Sequence, residues 1–255
     1  MYLFKYLQII TLLMISVVGC HSQDSRQVSM VPPSHQIFDQ LLQRYVKGDR
    51  FDYQGLKENQ SEFKSYLNLL SNNAPSENWT ENEKIAYWIN VYNAFTLKLI
   101  IDNYPVASIQ DLHPKIYLPL LNTVWHKKFF KIGGVETSLD EVEHKILRKQ
   151  FNEPRIHFAI NCASVSCPPL RNEAFVAEKL NEQLEEQAVK FINNTQMNVI
   201  TPNNPRISKI FSWFKGDFKQ NGSLISFLNK YSDTHINEDA DVDFLEYDWN
   251  LNDIK

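Results

Sequence analysis

The stretch from Thr80 to Tyr104 limits the fold more than any other part of the chain. Ile85, Ala86, Tyr87, Trp88, Ile89, Val91, Tyr92, Ala94, Phe95, Leu97, Leu99 and Ile100 are apolar at nearly every angle around a helical wheel. A helix without a polar face must be buried on most sides, so the pattern predicts a helix at the centre of the domain. Thr80 and Glu83 have the spacing of a capping box at its start, and Pro105 closes it. Asn90 and Asn93 interrupt the apolar surface one turn apart. Asparagine is a poor helix former and needs partners when buried. The pair therefore either pins a neighbouring loop or faces a site.

The flanking segments read as follows. Ile37, Phe38, Leu41, Leu42, Tyr45 and Val46 predict an amphipathic helix over 35–47, and Phe63, Tyr66, Leu67 and Leu70 another over 61–71. Residues 51–53 read as a short strand or extended turn, and 125–132 as a strand turning at Gly133-Gly134. Ser138 and Glu141 form a second capping box, starting a helix to about 150. A buried strand over 156–160 follows, then a loop of small residues over 161–171 and a helix over 174–193. Residues 199–200 and 206–210 pair as a hairpin, 223–231 forms the last helix and 242–247 the last strand. Neither a repeat nor a linker divides residues 35–255. The expectation is an α+β fold: a single helix-rich domain around a central buried helix, with a small, mostly antiparallel sheet.

Composition narrows the function classes. Lysine and arginine number 26 against 30 acidic residues, which excludes the basic footprint of a nucleic-acid binder. Seven Gly and eleven Pro exclude collagen-like and linker-like chains, and 13% aromatic residues exclude wholesale disorder. At the N-terminus, Lys5 precedes an apolar run from Leu7 to Val18 that is too short to span a bilayer. It ends in Val17-Val18-Gly19-Cys20, which resembles a bacterial lipobox. The implied organisation is a lipoprotein signal peptide over 1–19, a lipid-anchored polar tether over 20–34 beginning at Cys20, and a domain over 35–255. The implied location is the bacterial cell envelope. His21, where Asp would signal retention, points to the outer membrane facing the periplasm.

Several segments together carry a family resemblance. Lys84-Ile85-Ala86-Tyr87-Trp88-Ile89-Asn90-Val91-Tyr92-Asn93-Ala94, Ser138 to Arg148, His157 to Arg171, Ser208 to Phe218 and Tyr247 to Asn252 resemble, in that order, the hallmarks of the DUF547 domain family. The resemblance implies a shared fold unit and, in bacteria, an envelope setting; it brings no agreed activity. In the family's plant members, residues matching Cys162, Ser166, Arg171 and the Glu143-His144 pair recur, while the position of Cys167 is commonly Ser.

Two readings of the chemistry stay open. Cys162, opening the small-residue loop, has the setting of a nucleophile. His144 as base and Asp140, one turn earlier, as its orienting group complete the composition of a thiol hydrolase or transferase. In a strand over 156–160, His157 would point away from Cys162. Alternatively Cys162 and Cys167 form a disulfide in an oxidising compartment, and the domain is a binding or scaffold module. Asn90, Asn93, Glu143, Ser166 and Arg171 are its candidate binding residues. The lack of any motif with established catalytic meaning tips the reading narrowly towards the module. Its partners would be the membrane, through the lipid on Cys20, and an envelope protein or cell-wall ligand, without nucleic acid. Trp125, Trp213, Tyr247 and Trp249 either belong to the core or line a carbohydrate or peptide groove. No metal site or cofactor is expected: H-E-x-x-H, P-loop and dinucleotide motifs are missing. The acidic run Glu238, Asp239, Asp241, Asp243 has Phe244 where an EF-hand needs Gly and Asn250 where it needs Glu.

Overall fold

The computed structural model describes residues 28–116, 118 and 122–254. The expected signal segment, Cys20 and most of the expected tether lie outside the described residues. In chain order the elements are β1 (Val28–Ser29), α1 (Gln36–Tyr45), β2 (Val46–Lys47), β3 (Arg50–Phe51), α2 (Tyr53–Glu58), α3 (Ser61–Asn72), β4 (Ala74–Pro75) and α4 (Glu81–Asn103). They continue with β5 (Phe130–Ile132), β6 (Val135–Thr137), α5 (Arg148–Gln150), α6 (Leu180–Ile192), β7 (Arg206–Ile207), α7 (Ile210–Trp213), α8 (Lys215–Phe218), α9 (Leu224–Tyr231) and β8 (Asp243–Phe244). Short 3-10 turns and one π-helical segment fill the intervals. The result is a helix-rich α+β domain, with its strands in separate two-stranded ladders: β2–β3 and β5–β6 antiparallel, β1–β4 and β7–β8 parallel.

Helix α4 is the central helix that its sequence predicts. The Glu83 N–H donates to the Thr80 hydroxyl at 3.3 Å, and the Thr80 N–H to the Glu83 carboxylate at 2.6 Å, completing the capping box. Phe38, Leu56, Phe63 and Leu70 from α1, α2 and α3 pack with α4 in one cluster, together with Leu139, Val142, Leu147 and Ile156. A second cluster of Phe158, Phe191, Phe211, Phe218 and Leu228 ties together α6 to α9. Each fully buried Phe or Leu contributes roughly 1.5–3 kcal/mol relative to exposure.

Several local expectations are corrected. Residues 154–158 form a 3-10 helix (Pro154–Phe158), not a strand. Pro154 sits in its first turn, and the Glu153 carboxylate accepts from the Arg155 N–H. The alternation that turned His157 away from Cys162 therefore does not apply. The expected strand over 125–132 is a 3-10 turn (Val124–His126) followed by β5 alone. The helix after Ser138 is π-helical over Glu141–Leu147 before the short α5. Of residues 51–53, expected to be extended, Phe51 does lie in β3 but Tyr53 opens α2, which is capped by Asp52, whose carboxylate accepts from Gly55 N–H at 2.7 Å. Val199 and Arg206 do bridge, but β7 then pairs in parallel with β8. Part of the expected tether also packs on the domain: β1 pairs with β4, and the Trp79 indole donates to the Ser29 carbonyl at 2.8 Å.

His35, just before α1, is buried with Nδ1 2.7 Å from the Tyr66 hydroxyl. Burial lowers its pKa from 6.5 to about 4. Between those values the unfolded chain takes up a proton that the folded chain does not, so stability falls as pH drops through this window. Going from pH 7 to pH 5 should cost about 2 kcal/mol through this one group. Urea unfolding at both pH values should show that dependence shrinking by this amount in His35→Gln; an unchanged dependence would refute the assignment.

Candidate active site

Asn93 fixes the loop that carries Cys162. Its side-chain amide donates to the Ala159 carbonyl at 2.9 Å, and its side-chain oxygen accepts from the Asn161 N–H at 2.8 Å. Asn161 passes the support on, donating to the Pro168 carbonyl and accepting from the Ala163 N–H, each at 2.8 Å. Ala163 is thereby held at φ 64°, a left-handed conformation that costs a non-glycine residue of order 1–3 kcal/mol. The C-terminal tail covers the outside of the loop: Val165 N–H donates to Asn250 O, Ser166 N–H to Asp248 O and Asn252 N–H to Ala163 O. Cys162 is thus presented, half-buried, from a turn that is fixed on both sides.

It opens into a cleft of about 640 Å3. Three of the residues picked out as a catalytic set, Cys162, His144 and Asp140, line this cleft together. Glu143 lines it as well. In an α-helix, Glu143 and His144 would point about 100° apart. The segment is π-helical, with more residues per turn, and both side chains line the cleft.

The remaining candidates lie elsewhere. Asn90 is a brace like Asn93: it donates to the Phe175 carbonyl at 2.7 Å and accepts from the Phe175 N–H at 3.1 Å. Of the two alternatives for the asparagine pair, pinning loops is the one the structure has, and neither lines the cleft. The Ser166 hydroxyl accepts from Asp248 N–H at 2.9 Å and so secures the tail. Arg171 is ion-paired with Glu173 and Glu186, outside the cleft. The disulfide alternative is not realised, since Cys162 and Cys167 are both free thiols. The Cys162 N–H donates to the Cys167 sulfur at 2.9 Å, while the Cys162 sulfur turns to the Ser164 hydroxyl at 3.2 Å and the Tyr247 hydroxyl at 3.3 Å.

The hydrogen bonds of the Cys162 side chain thus run to Ser164 and Tyr247, and His144 is engaged elsewhere. Arg148 Nη1 lies 2.8 Å from His144 Nδ1. A guanidinium can only donate, so Nδ1 carries the lone pair and the neutral ring holds its proton on Nε2, 3.6 Å from Asp140 Oδ1. Burial lowers the His144 pKa, which keeps the ring neutral. Arg148 also grips Asp217, through Nε at 2.6 Å and Nη2 at 3.1 Å. Asp217 accepts from His157 Nε2 at 2.7 Å as well. Burial pushes the Asp217 carboxyl up, but His157 and Arg148 outweigh it and hold the group well below the usual carboxylate range. Sequence reasoning missed Arg148, His126 and the role of His157. The only local signal was Arg148, one turn after His144.

Two groups facing the cleft are shifted towards each other. Burial pushes the Cys162 thiol up, but hydrogen bonding from Cys167, Ser164 and Tyr247 to the thiolate outweighs it, bringing it down to about 7. Burial, and then the negative charge of Cys162, raise Glu143 to about 7 against a hydrogen bond from Tyr92. Cys167, fully enclosed, is pushed up by burial and by Cys162. Among the described residues, no group of three or more His, Cys, Asp or Glu is placed to hold a metal ion.

A helix-rich α+β domain built around a cleft with a free, acid-shifted thiol defines the class. Residues 76–192 match the model of a family described as "Protein of unknown function, DUF547". Over that stretch, a little under half of its length, the chain is similar to the family that its motifs resemble. The match takes in Cys162, His144 and Glu143 and stops short of Trp213 and Tyr247. No curated protein and no solved structure matches the chain.

Iodoacetamide should modify Cys162 with a midpoint near pH 7, below the roughly 8.5 of a free thiol. Cys167 should react only on unfolding. Intact mass with peptide mapping across pH 5–9 reads both rates, and equal reactivity of the two thiols would contradict the geometry.

Proposed function

We propose that this chain is a thiol-dependent hydrolase or transferase with Cys162 as nucleophile and Glu143 as its proton partner. The observation that carries the reading is a free Cys162 whose sulfur lies 3.2 and 3.3 Å from the Ser164 and Tyr247 hydroxyls in a cleft that Glu143 also lines, with the thiol lowered and the carboxyl raised to about 7 each. Matched affinities near the working pH allow one proton to pass in either direction. The Cys162 proton moves to Glu143, and the thiolate attacks the acyl carbon of an ester or amide. The bond to the leaving oxygen or nitrogen breaks, and the Glu143 proton goes to that leaving alcohol or amine. The resulting thioester is released as an acid by water, or passed to a second alcohol or amine. His144, holding its proton on Nε2, serves as a hydrogen-bond donor at the cleft wall rather than as the base. Attachment to the bacterial envelope through a lipid on Cys20 belongs to the same reading and is supported by the Val17–Cys20 pattern. A scaffold role acting through Asn90 and Asn93 has little surface to use, because both side chains are consumed in bracing loops.

p-Nitrophenyl acetate tests the chemistry directly. Cys162 should gain one acetyl group with a burst of nitrophenolate, and Cys162→Ala should give neither while unfolding like the parent. Glu143→Gln should lower turnover by about 10²–10⁴-fold. The same change removes a negative neighbour, so the alkylation midpoint of Cys162 should move down. Slower turnover despite more thiolate separates a proton-transfer role from a structural one. Unchanged turnover in Glu143→Gln would remove that residue from the mechanism, and no acylation of Cys162 would remove the whole reading.

A further inference from the structure

Beyond the Tyr247 hydroxyl at the Cys162 sulfur and the His144 N–H, the wall of the cleft carries an aromatic arrangement that the acyl chemistry does not use. Three of the chain's five tryptophans, Trp125, Trp213 and Trp249, line it with Tyr247. Their rings touch in sequence: Trp125–Trp249 centroids at 5.6 Å, Trp249–Tyr247 at 4.6 Å, Tyr247–Trp213 at 4.7 Å. Trp213 is 46% exposed, although it belongs to a concave surface. Rings in mutual contact form a continuous wall. They leave no gap between them for a cation, which an aromatic cage would need.

Beside this wall lie two donors and one acceptor with unmet capacity. His126 Nδ1 accepts from the Thr123 N–H at 3.3 Å, as His144 Nδ1 accepts from Arg148. Because each Nδ1 accepts, each ring presents an N–H at Nε2, and both Nε2 atoms face one oxygen, Asp140 Oδ1, at 3.4 and 3.6 Å. These separations exceed a normal hydrogen bond. A hydroxyl fits such a set, since it accepts from an imidazole N–H and donates to a carboxylate at the same time. A cation could not accept from the imidazoles, and an anion would meet Asp140 and Glu143 while Arg148 is already held by Asp217. An acyl chain would desolvate the three polar groups without pairing them. A peptide strand finds no edge to join, because among the described residues none of those lining the cleft lies in a strand.

We infer that the cleft binds a neutral sugar, with the pyranose ring lying on the Trp213–Tyr247–Trp249 wall and its hydroxyls bridging His126, His144 and Asp140. The C–H groups on one face of a pyranose are weakly positive and match the negative face of an aromatic ring. The inference names the substrate class of the proposed thiol reaction, an acyl group borne by a carbohydrate, and as a statement about substrate it rests on that reading; the binding itself needs no thiol.

The test titrates full-length Cys162→Ala with the β-1,4-linked N-acetylglucosamine trimer, cellotriose and maltotriose, reading tryptophan fluorescence. At least one sugar should give a saturable change. Adding Trp213→Ala should weaken its binding about tenfold, the scale of one aromatic contact. Adding Asp140→Asn should weaken it as well, without loss of fold by circular dichroism. The same sugar should slow iodoacetamide modification of Cys162 in the parent. No saturable response to any of the three, binding untouched by Trp213→Ala, or a response only to choline, hexanol or an unstructured neutral peptide would each overturn the inference. Fast alkylation of Cys162 without sugar binding would leave the thiol chemistry standing and remove only the sugar.

Discussion

A helix buried on every side creates a demand that shapes the rest of this protein. Whatever is laid against α4 loses water from its backbone polar groups and must have them paired, since an unpaired buried group costs about 1–3 kcal/mol. Asn90 and Asn93 meet this demand from within the helix, each clamping one loop by both a carbonyl and an N–H. Through Asn161, the Asn93 clamp continues into the turn at Ala163. The position of Cys162 thus follows from satisfying the core.

The electrostatics of the cleft follow from the same enclosure. Burial raises carboxyls and thiols alike, so the group supplied with the better donors becomes the anion. Cys162 has Ser164 and Tyr247 around its sulfur and is lowered. Glu143, with less to oppose its burial, is raised. Arg148 and His157 gather at Asp217, and Arg148, so held, donates to His144 Nδ1 and fixes the orientation of its ring. A carboxyl and an imidazole that neighbour each other in the chain are thereby given different roles by their surroundings.

How much of this could be read from the chain depended on the range of the signal. The capping box at Thr80, the apolar circumference of α4 and the Gly133-Gly134 turn, with φ values of 58° and 85°, are written in a few adjacent residues, and they appear as expected. Residues 156–160 were misread because a short apolar run suits a buried strand as well as a turn of helix; Pro154 and the Glu153 cap decide it. The π-helical winding at Glu141–Leu147 left no pattern to read, and neither did the meeting of Glu143 and His144 in one cleft with Cys162.

By itself the sequence determined the central helix, the helix-rich α+β class and the family resemblance, and it singled out Cys162 and the Glu143-His144 pair as candidates. Only the tertiary structure decided which groups surround that thiol. Tyr247 reaches Cys162 across 85 positions, and Arg148 reaches Asp217 across 69. Caps and periodicity act within a turn or two of backbone, so they cannot encode such meetings. These arise when the C-terminal tail and α8 pack against the core, where burial and donor count set the charge of each group.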